Sequence, residues 1–342
     1  MIIRKEGETM TTNTASCTAP IRWGIIGTGR IAHTFAKALM NCKDAQLYAA
    51  ASRTIQKADK FAAEYGFLKS YGSYTELAQD PDVDVIYIAT PMSAHYNDVR
   101  SCLENGKNIL CEKSVTLNCR QLEELLDLAK SNGLFFMEAM WMKFSPVYRK
   151  AMEWIREGKI GRISCIKAGF CNHVPYNADD RLFRADCGGG ALLDIAVYPL
   201  TLVHDVMGVP DHIMAHAHIL NGIDMSNTII LQYDDAFAAV DSSFEYPSRN
   251  NAMISGSDGM ILFGDNFYAA SEVCLYDRSL HLIETYTAED SINGYEYEIE
   301  EVMKCLRNGA KESMLVPQKA TLEVMQMMDE CRRQWGMEFP DE

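Results

Sequence analysis

Short, mostly apolar stretches alternate with amphipathic ones along residues 21–142, and this alternation constrains the fold more than any other feature. The apolar stretches IRWGIIG, AQLYAAAS, DVIYIAT, NILCEK and LFFMEAM are separated by segments of helical spacing, among them 93–105 and 118–132. A strand that is apolar at every position is buried on both faces, which requires helices on both sides of a parallel sheet. The sequence therefore predicts an α/β domain over residues 21–142.

A different periodicity begins near residue 161. Segments such as RISCIKAGF, NTIILQYDD and AFAAVDSSFEY alternate apolar and polar residues, with turn signals such as GSDGM between them. This period of two predicts an antiparallel sheet, and two helices follow it. We therefore expect a second, α+β domain over residues 143–342. Residues 1–20 are polar and predict a disordered tail.

Composition argues against several classes of protein. A net charge of −15 disfavours a nucleic acid or an anionic membrane as partner, because phosphates would be repelled. We expect no membrane span, since no uninterrupted apolar run approaches the ~18 residues that one requires. Eleven cysteines without a C-x-x-C pair predict free thiols in a reducing cytoplasm, not disulfides or a zinc site, and we expect no metal.

The first apolar stretch ends in a G-x-G-x-x-A motif that opens a helix, starting at Gly27. The first glycine permits the tight turn, the second lets backbone approach a pyrophosphate, and Ala32 permits close packing of helix on strand. The helix N-terminus adds amide donors and positive potential. We expect a dinucleotide on this turn, with contacts from Gly27, Thr28, Gly29, Arg30 and Ile31.

The end of the second apolar stretch bears on the choice of cofactor. A carboxylate there would bind the ribose 2′-hydroxyl of NAD, but this chain has Ser52 and Arg53. Arginine suits the 2′-phosphate of NADP, and a serine hydroxyl can add a hydrogen bond. We therefore favour NADP, with NAD possible; the alternative for Arg53 is a solvated residue at the start of a helix.

Two further stretches carry polar groups that could do chemistry. NILCEKSVT places Glu112 and Lys113 where a strand ends, the edge at which open α/β sheets bind ligands. GGGALLDIAVYP, at 188–199, places Asp194 and Tyr198 one helical turn apart on a shared face. The alternatives are a solvated lysine, a carboxylate favoured by the helix dipole and a half-buried core phenol. Pro199 is expected to kink this helix.

These motifs, together with ATPMSAHY and MEAMWMKFSP, resemble in order and spacing the Gfo/Idh/MocA oxidoreductases, over about residues 21–340. They are most similar to the branch of dihydrodiol and NADP-dependent xylose dehydrogenases. The resemblance implies a Rossmann domain followed by a substrate domain whose large open, mostly antiparallel sheet often forms a homodimer interface. It also implies NAD(P)-dependent hydride transfer to or from a small molecule: a cyclic polyol, a sugar or a trans-dihydrodiol.

The resemblance also implies roles for single residues. Lys113, from the family's E-K-P motif, would lie near the nicotinamide, with Thr90, Pro91, His95 and Glu112 beside the cofactor. Tyr198 would be the acid/base and Asp194 would position Lys113 or a substrate hydroxyl. We expect the Lys113 ammonium to lower the pKa of Tyr198. Ser114 stands where the family has proline, which puts the orientation of the Lys113 side chain in question.

Other residues and other functions remain open. Trp141, Arg181 and Arg184 are weaker candidates for substrate contacts, as are His173 and His204. One rival function is the NAD-dependent glycosidase chemistry found on this fold, which favours histidine at the position of Tyr198. Another is a non-catalytic NADP-binding sensor, which the Ser114 departure suggests.

Overall fold

The computed structural model describes residues 19–289, 291–340 and 342. Of the predicted tail, only Ala19 and Pro20 are described, and both are exposed; the rest of that prediction lies outside the described residues. Two β-sheets with their helices account for the fold.

The first sheet is parallel throughout and has six strands in the order β3-β2-β1-β4-β5-β6. This order is that of a Rossmann fold, so the predicted α/β domain is confirmed. The strands are β1 Ile21–Ile26, β2 Ala45–Ala51, β3 Lys69–Tyr71, β4 Val85–Ile88, β5 Asn108–Glu112 and β6 Phe136–Ala139. The helices are α1 Arg30–Leu39, α2 Ile55–Tyr65, α3 Tyr74–Gln79, α4 Met92–Glu104 and α5 Cys119–Ser131.

Sequence and structure agree closely in this half. The helices expected over 93–105 and 118–132 are α4 and α5, each within one residue at both ends. The sequence missed β3, because three residues at a sheet edge are too few to show a periodicity.

The second sheet has eight strands in the order β14-β13-β12-β11-β7-β10-β9-β8. Every neighbouring pair is antiparallel except β7 and β10, which confirms a mostly antiparallel sheet. The strands are β7 Ile163–Cys171, β8 His212–Leu220, β9 Ile223–Tyr233, β10 Ala236–Ser243, β11 Ala252–Gly256, β12 Gly259–Phe263, β13 Glu272–Asp277 and β14 Leu282–Thr287. The helices are α6 Pro146–Arg156, α7 Val197–Met207, α8 Tyr295–Arg307 and α9 Gln318–Trp335, and a π-helical segment, Leu192–Ala196, runs directly into α7.

The two faces of this sheet differ in burial. One row of residues paired across the strands, which includes Leu231, Ala238 and Ile254, is fully buried. The adjacent row, on the other face, carries the half-buried apolar residues Ile230, Ala239, Met253, Leu262 and Cys274, with the exposed Lys167 between Ala239 and Met253. Within the described part of the chain, this outer face is therefore left open to solvent.

One helical segment, Ala185–Met207, is long and apolar enough by length and composition alone to cross a membrane. In the fold it lies in the core, with 72% of its most apolar window buried. It contains the π-helical segment and α7, so it is the element that carries Asp194 and Tyr198.

The end of the chain returns to the first sheet. The outer edge of β6 is covered where the Phe136 amide donates to the Lys311 carbonyl at 3.1 Å. At the start of α5, which is capped by Asn118, the Cys119 amide donates to the Asp329 carboxylate of α9 at 2.8 Å. α9 also contacts the second sheet, where the Gln334 side chain bonds to the Ala215 amide and the Ile213 carbonyl of β8.

Candidate active site

A cleft of about 1360 Å³ lies between the two sheets. Its first wall is formed by the segments that follow β1, β2, β4 and β5, and its second wall by β7 and the π-helical segment. Typical ligand pockets measure roughly 300–1,000 Å³. The cleft therefore has room for a dinucleotide and a second, smaller ligand.

Two glycines shape the turn between β1 and α1, and each position requires glycine for a different reason. Gly27 has φ +93°, and a Cβ there would lie 2.7 Å from the Ala89 carbonyl oxygen, so the chain's own packing requires glycine. At Gly29 a Cβ would meet no protein atom within 4 Å, so close packing does not explain that glycine. No side chain caps α1 and no acidic residue lies in its first turn, which leaves its amides to an anion such as a pyrophosphate.

The end of β2 presents hydroxyl groups and cations. The Ser52 and Thr28 hydroxyls share a 3.1 Å hydrogen bond, and Arg53 is exposed at the rim of the cleft. Lys57 and Lys60 follow at helical spacing on α2 and also line the cleft. Sequence reasoning missed these two lysines, although their spacing from Arg53 could have revealed them.

His95 joins the loops that follow β4 and β5. It is buried, with Nδ1 3.0 Å from the Ser114 carbonyl and Nε2 2.9 Å from the Thr90 carbonyl. Burial lowers the pKa of His95 to about 4, so it is neutral at physiological pH and positions these loops. Thr90 itself donates to Asp98 at 2.7 Å, and Pro91 lies beside the cleft at the start of α4.

Glu112 ends β5 as a buried carboxyl on the cleft wall. Its Oε1 accepts a hydrogen bond from the Tyr87 hydroxyl. Burial raises the pKa of Glu112, although Tyr87 and the neighbouring Lys113 oppose this shift.

The next residue along the chain, Lys113, reaches across the cleft to the π-helical segment. Its Nζ donates to the Asp194 carbonyl at 2.5 Å and lies 3.4 Å from Asp194 Oδ1. Arg181 approaches the same carboxylate oxygen at 3.4 Å. Burial disfavours a charged Asp194, but the two cations together hold its pKa below the ordinary value. The Lys113–Ser114 peptide bond is cis.

Tyr198 lies within reach of this ion cluster. Trp141 Nε1 donates to its hydroxyl at 3.0 Å, and Lys113 Nζ lies 5.2 Å from the centre of its ring. Burial raises the pKa of Tyr198 well above its ordinary value; the charge of Glu112 adds to this, and the Trp141 donor opposes it. The expectation that Lys113 lowers the pKa of Tyr198 was therefore wrong in direction for this structure: the group is a phenol.

The three glycines before Asp194 bring the chain against its own neighbours. A Cβ at Gly188 would lie 2.5 Å from the Leu117 side chain, and one at Gly189 would lie 2.6 Å from the Leu182 carbonyl. Gly190 has φ +118°, and a Cβ there would lie 2.3 Å from Asp224 Oδ1. The glycines thus fix the turn that carries Arg181 against the segment that carries Asp194.

Asp224, at the start of β9, is a site residue that the sequence did not reveal. It is fully buried, and its Oδ2 accepts from the Leu192 amide at 2.8 Å and from Asn227 at 2.7 Å. Burial raises the pKa of Asp224 to about 7. It anchors the first residue of the π-helical segment.

Aromatic side chains line the wall of the cleft that is formed by the second domain. Phe170 and Tyr268 stack at 4.0 Å, and Phe244 and Tyr295 complete this lining, with Asn172 and Asp180 as polar neighbours. These residues come from strands and loops far apart in the chain, so no local sequence pattern predicts them.

All twelve predicted cofactor residues line the cleft, together with Asp194, Tyr198 and Arg181. Four weaker candidates lie outside its lining. Trp141 contacts Tyr198 instead, and Arg184 pairs with Asp186 on the surface. His173 contacts the Glu245 carbonyl, and His204 contacts Glu323.

Comparison with known proteins identifies the family. Residues 21–140 match an oxidoreductase family with an NAD-binding Rossmann fold, and residues 148–262 match the GFO/IDH/MocA C-terminal domain. The trans-1,2-dihydrobenzene-1,2-diol dehydrogenase of Xenopus tropicalis is 36% identical over 329 residues, which cover 93% of this chain and 99% of the relative. The chain belongs to the Gfo/Idh/MocA oxidoreductase family. This membership confirms the predicted NAD(P)-binding oxidoreductase.

A further relative and two solved structures are also similar to this chain. The human trans-1,2-dihydrobenzene-1,2-diol dehydrogenase is 32% identical over 94% of this chain and 99% of its own length. KijD10, a 3-ketoreductase from Actinomadura kijaniata in complex with NADP, superimposes with a TM-score of 0.83 at 26% identity, over 92% of this chain and 97% of its own. Levoglucosan dehydrogenase, with NADH, shares the fold at a TM-score of 0.83 and 20% identity, over 94% of this chain and 100% of its own.

Proposed function

We propose that this protein is an NADP-dependent dehydrogenase or reductase acting on the CH–OH group of a cyclic polyol, sugar or trans-dihydrodiol. One observation carries the proposal: the Tyr198 hydroxyl and the Lys113–Asp194 pair lie in the same cleft as the β1–α1 turn. The names of the relatives, a dihydrodiol dehydrogenase and a 3-ketoreductase, support this class of substrate.

The residues present fit a nicotinamide dinucleotide. Gly29 and the uncapped start of α1 would hold the pyrophosphate, and Ser52 and Arg53 the adenosine ribose. When bound, the nicotinamide supplies or accepts the hydride at its C4. The protein's own residues then have to orient the substrate and handle one proton.

Tyr198 is the group that we assign to the proton. Because burial favours the phenol, Tyr198 is ready to donate a proton to the substrate oxygen during reduction. The Trp141 N–H, 3.0 Å away, stabilises the phenolate that remains. In the oxidation direction the same hydroxyl must first lose its proton, so alkaline pH favours the reaction.

Lys113 and Arg181 complete the site around Asp194. Their positive charges keep this carboxylate ionised, and it holds both side chains at the cleft surface. We assign to Lys113 the stabilisation of negative charge on the reacting oxygen. Arg181, whose side chain is 43% exposed, is available to a second substrate oxygen.

The preference for NADP rests on charge at the end of β2. Arg53, Lys57 and Lys60 lie along one side of the cleft, where a 2′-phosphate would be attracted. The acidic residue that lines this region, Glu64, lies 3.5 Å from His33 and so has a cationic partner when that histidine is protonated. We expect higher kcat/KM with NADP(H) than with NAD(H).

The open face of the second sheet supports a homodimer. Its half-buried apolar row, defined above by Ile230, Ala239, Met253, Leu262 and Cys274, continues to the exposed side chain of Met214. An apolar face of this extent favours burial against a second copy. Light scattering at micromolar concentration should give twice the mass of the chain, and a monomeric mass would remove this part of the proposal.

The charge and the cysteines of the protein are the basis for its proposed location and class of partner. Among the described residues ten cysteines are free, which supports a reducing cytoplasm. The net charge of −15 supports a small-molecule partner in preference to nucleic acid or an anionic membrane surface.

A turnover screen tests the proposed function. Sugars, inositols, trans-dihydrodiols and dicarbonyls are each assayed with both cofactors, using wild type and Lys113→Met. We expect turnover of at least one compound class by wild type, loss of it in Lys113→Met, and NADPH binding within roughly tenfold in both, because pyrophosphate and ribose contacts supply most of the cofactor affinity. NADPH binding without turnover of any compound would instead indicate a sensor, and release of a chromogenic aglycone would indicate a glycosidase.

A further inference from the structure

The loop after β5 makes two hydrogen bonds in succession to the π-helical segment. Lys113 Nζ donates to the Asp194 carbonyl at 2.5 Å, and Ser114 Oγ donates to the Leu193 carbonyl at 2.9 Å. Two neighbouring side chains of the first domain thus engage two neighbouring carbonyls of the second. Ser114 is fully buried, so its hydroxyl bond is shielded from water.

The local backbone bears on why the Asp194 carbonyl is available to Lys113. Asp194 is the central residue of the π-helical segment Leu192–Ala196, in which a carbonyl is bonded by the N–H five residues later. For Asp194 that residue is Pro199, which has no N–H. The proline therefore leaves the Asp194 carbonyl to Lys113.

We propose that Ser114 and Pro199 are positioning residues that fix the Lys113 ammonium in the active site. Ser114 holds the loop against the π-helical segment, and Pro199 withholds the donor that would compete with Lys113 for the Asp194 carbonyl. Ser114 replaces the proline of the family's E-K-P motif, and its hydroxyl provides a bond that a proline side chain cannot make. The catalytic consequence rests on the role proposed for Lys113, whereas the positioning itself does not.

The test uses two variants that act on the two ends of this arrangement. Ser114→Ala removes the donor to Leu193, and Pro199→Ala supplies an N–H beside Asp194. Each has a matched control outside the cleft: Ser313→Ala removes another fully buried hydroxyl, which donates to Glu301, and Pro146→Ala changes a proline at the start of α6.

The expected result is a change in kcat without a change in cofactor binding. Ser114→Ala loses the bond to the Leu193 carbonyl, and Pro199→Ala weakens the Lys113–Asp194 bond by competition. One hydrogen bond is worth roughly a factor of 5–10, so kcat should fall about that much in each variant. The KM for NADPH should stay within about twofold, because no contact to the dinucleotide is removed. The two controls should keep the wild-type kcat.

A second readout reports on the lysine itself and does not depend on turnover. Reductive methylation followed by mass spectrometry measures how readily each lysine reacts. Lys113 should react several times faster in Ser114→Ala and Pro199→Ala than in wild type. Lys143, buried and paired with Asp205 at 2.6 Å, should remain unreactive in all proteins and so reports general loosening.

Three outcomes separate the possibilities. Wild-type kcat and wild-type labelling of Lys113 in both variants would overturn the positioning proposal. Equal gains in labelling at Lys113 and Lys143 would overturn it too, because loosened structure would then explain the loss. If Lys113→Met turns over normally while labelling of Lys113 rises as expected, the proposed catalytic role fails but the positioning stands.

Discussion

Replacing Tyr198 by phenylalanine separates a catalytic hydroxyl from a structural ring. The ring is 7% exposed and packs against Phe170 and Tyr268, and these contacts are retained in Tyr198→Phe. The hydroxyl accepts a single hydrogen bond in this structure, from Trp141. Leaving that N–H without its acceptor costs about 1–2 kcal/mol of unfolding free energy. In a large domain 1 kcal/mol shifts Tm by roughly 2–4 °C, so Tm should fall by only a few degrees.

The effect on activity should be far larger. Loss of general acid–base catalysis lowers kcat by about 10²- to 10⁴-fold, with little change in the KM for NADPH. The raised pKa of Tyr198 also sets the pH profile. Because the phenol persists through neutral pH, reduction by wild type should be flat there, while alcohol oxidation should rise towards alkaline pH as the phenolate forms. Tyr198→Phe should lose this rise.

Steady-state assays in both directions, with thermal unfolding of the same samples, check this prediction. Tyr148→Phe is the matched control, since its buried hydroxyl donates to Asp205 at 2.6 Å outside the cleft. It should keep the wild-type kcat even if it unfolds at lower temperature. A Tyr198→Phe enzyme with wild-type kcat and an unchanged oxidation profile would refute the reasoning and make Tyr198 a core phenol.

Three other predictions follow from residues around the site. Arg53→Ala should narrow or remove the preference for NADP(H), because one charge-assisted contact is worth about 1.5–3 kcal/mol; a wild type that prefers NAD(H) would show that Arg53 was misassigned. Gly190→Ala should lower the free energy of unfolding by about 2–4 kcal/mol, because φ is +118° and the new Cβ would lie 2.3 Å from Asp224 Oδ1; urea unfolding within about 0.5 kcal/mol of wild type would contradict this. Asp224 binds its proton more tightly in the folded state, with a pKa of about 7 against 3.8, so its contribution to stability falls as pH rises from about 4 to 7. Asp224→Asn should flatten the dependence of unfolding free energy on pH in that window, and an unchanged slope would exclude this residue as a source.

The fold could be predicted because its signals are local. The buried parallel strands are mostly apolar on both faces, whereas strands of the second sheet alternate, so β1 and β9 can be told apart from their own residues. The signal failed for β3, which is three residues long.

The candidate site could be predicted only where neighbouring residues form a motif whose spacing itself indicates a function. The G-x-G-x-x-A turn and the Asp194–Tyr198 spacing are of this kind. The π-helical register is not, because it depends on contacts from Ser114 and Asp224 that are distant in sequence. The pKa of Tyr198 could not be predicted either: its burial and the neighbouring Glu112 follow from how the two sheets meet.

The return of the chain's end to the first sheet has a consequence for how the protein is made. A nascent chain that has emerged through β6 already contains every strand of the Rossmann sheet. However, the Phe136 amide can bond only once Lys311 has been made, and the Cys119 amide of α5 only once Asp329 has been made. Both partners are synthesised about 170 residues or more after β6. The cofactor-binding half therefore leaves the ribosome with an open sheet edge at β6 and an unbonded Cys119 amide at the start of α5, and both are completed only after about 170 or more further residues have been made. A chaperone that binds exposed strand edges would find its substrate in this interval.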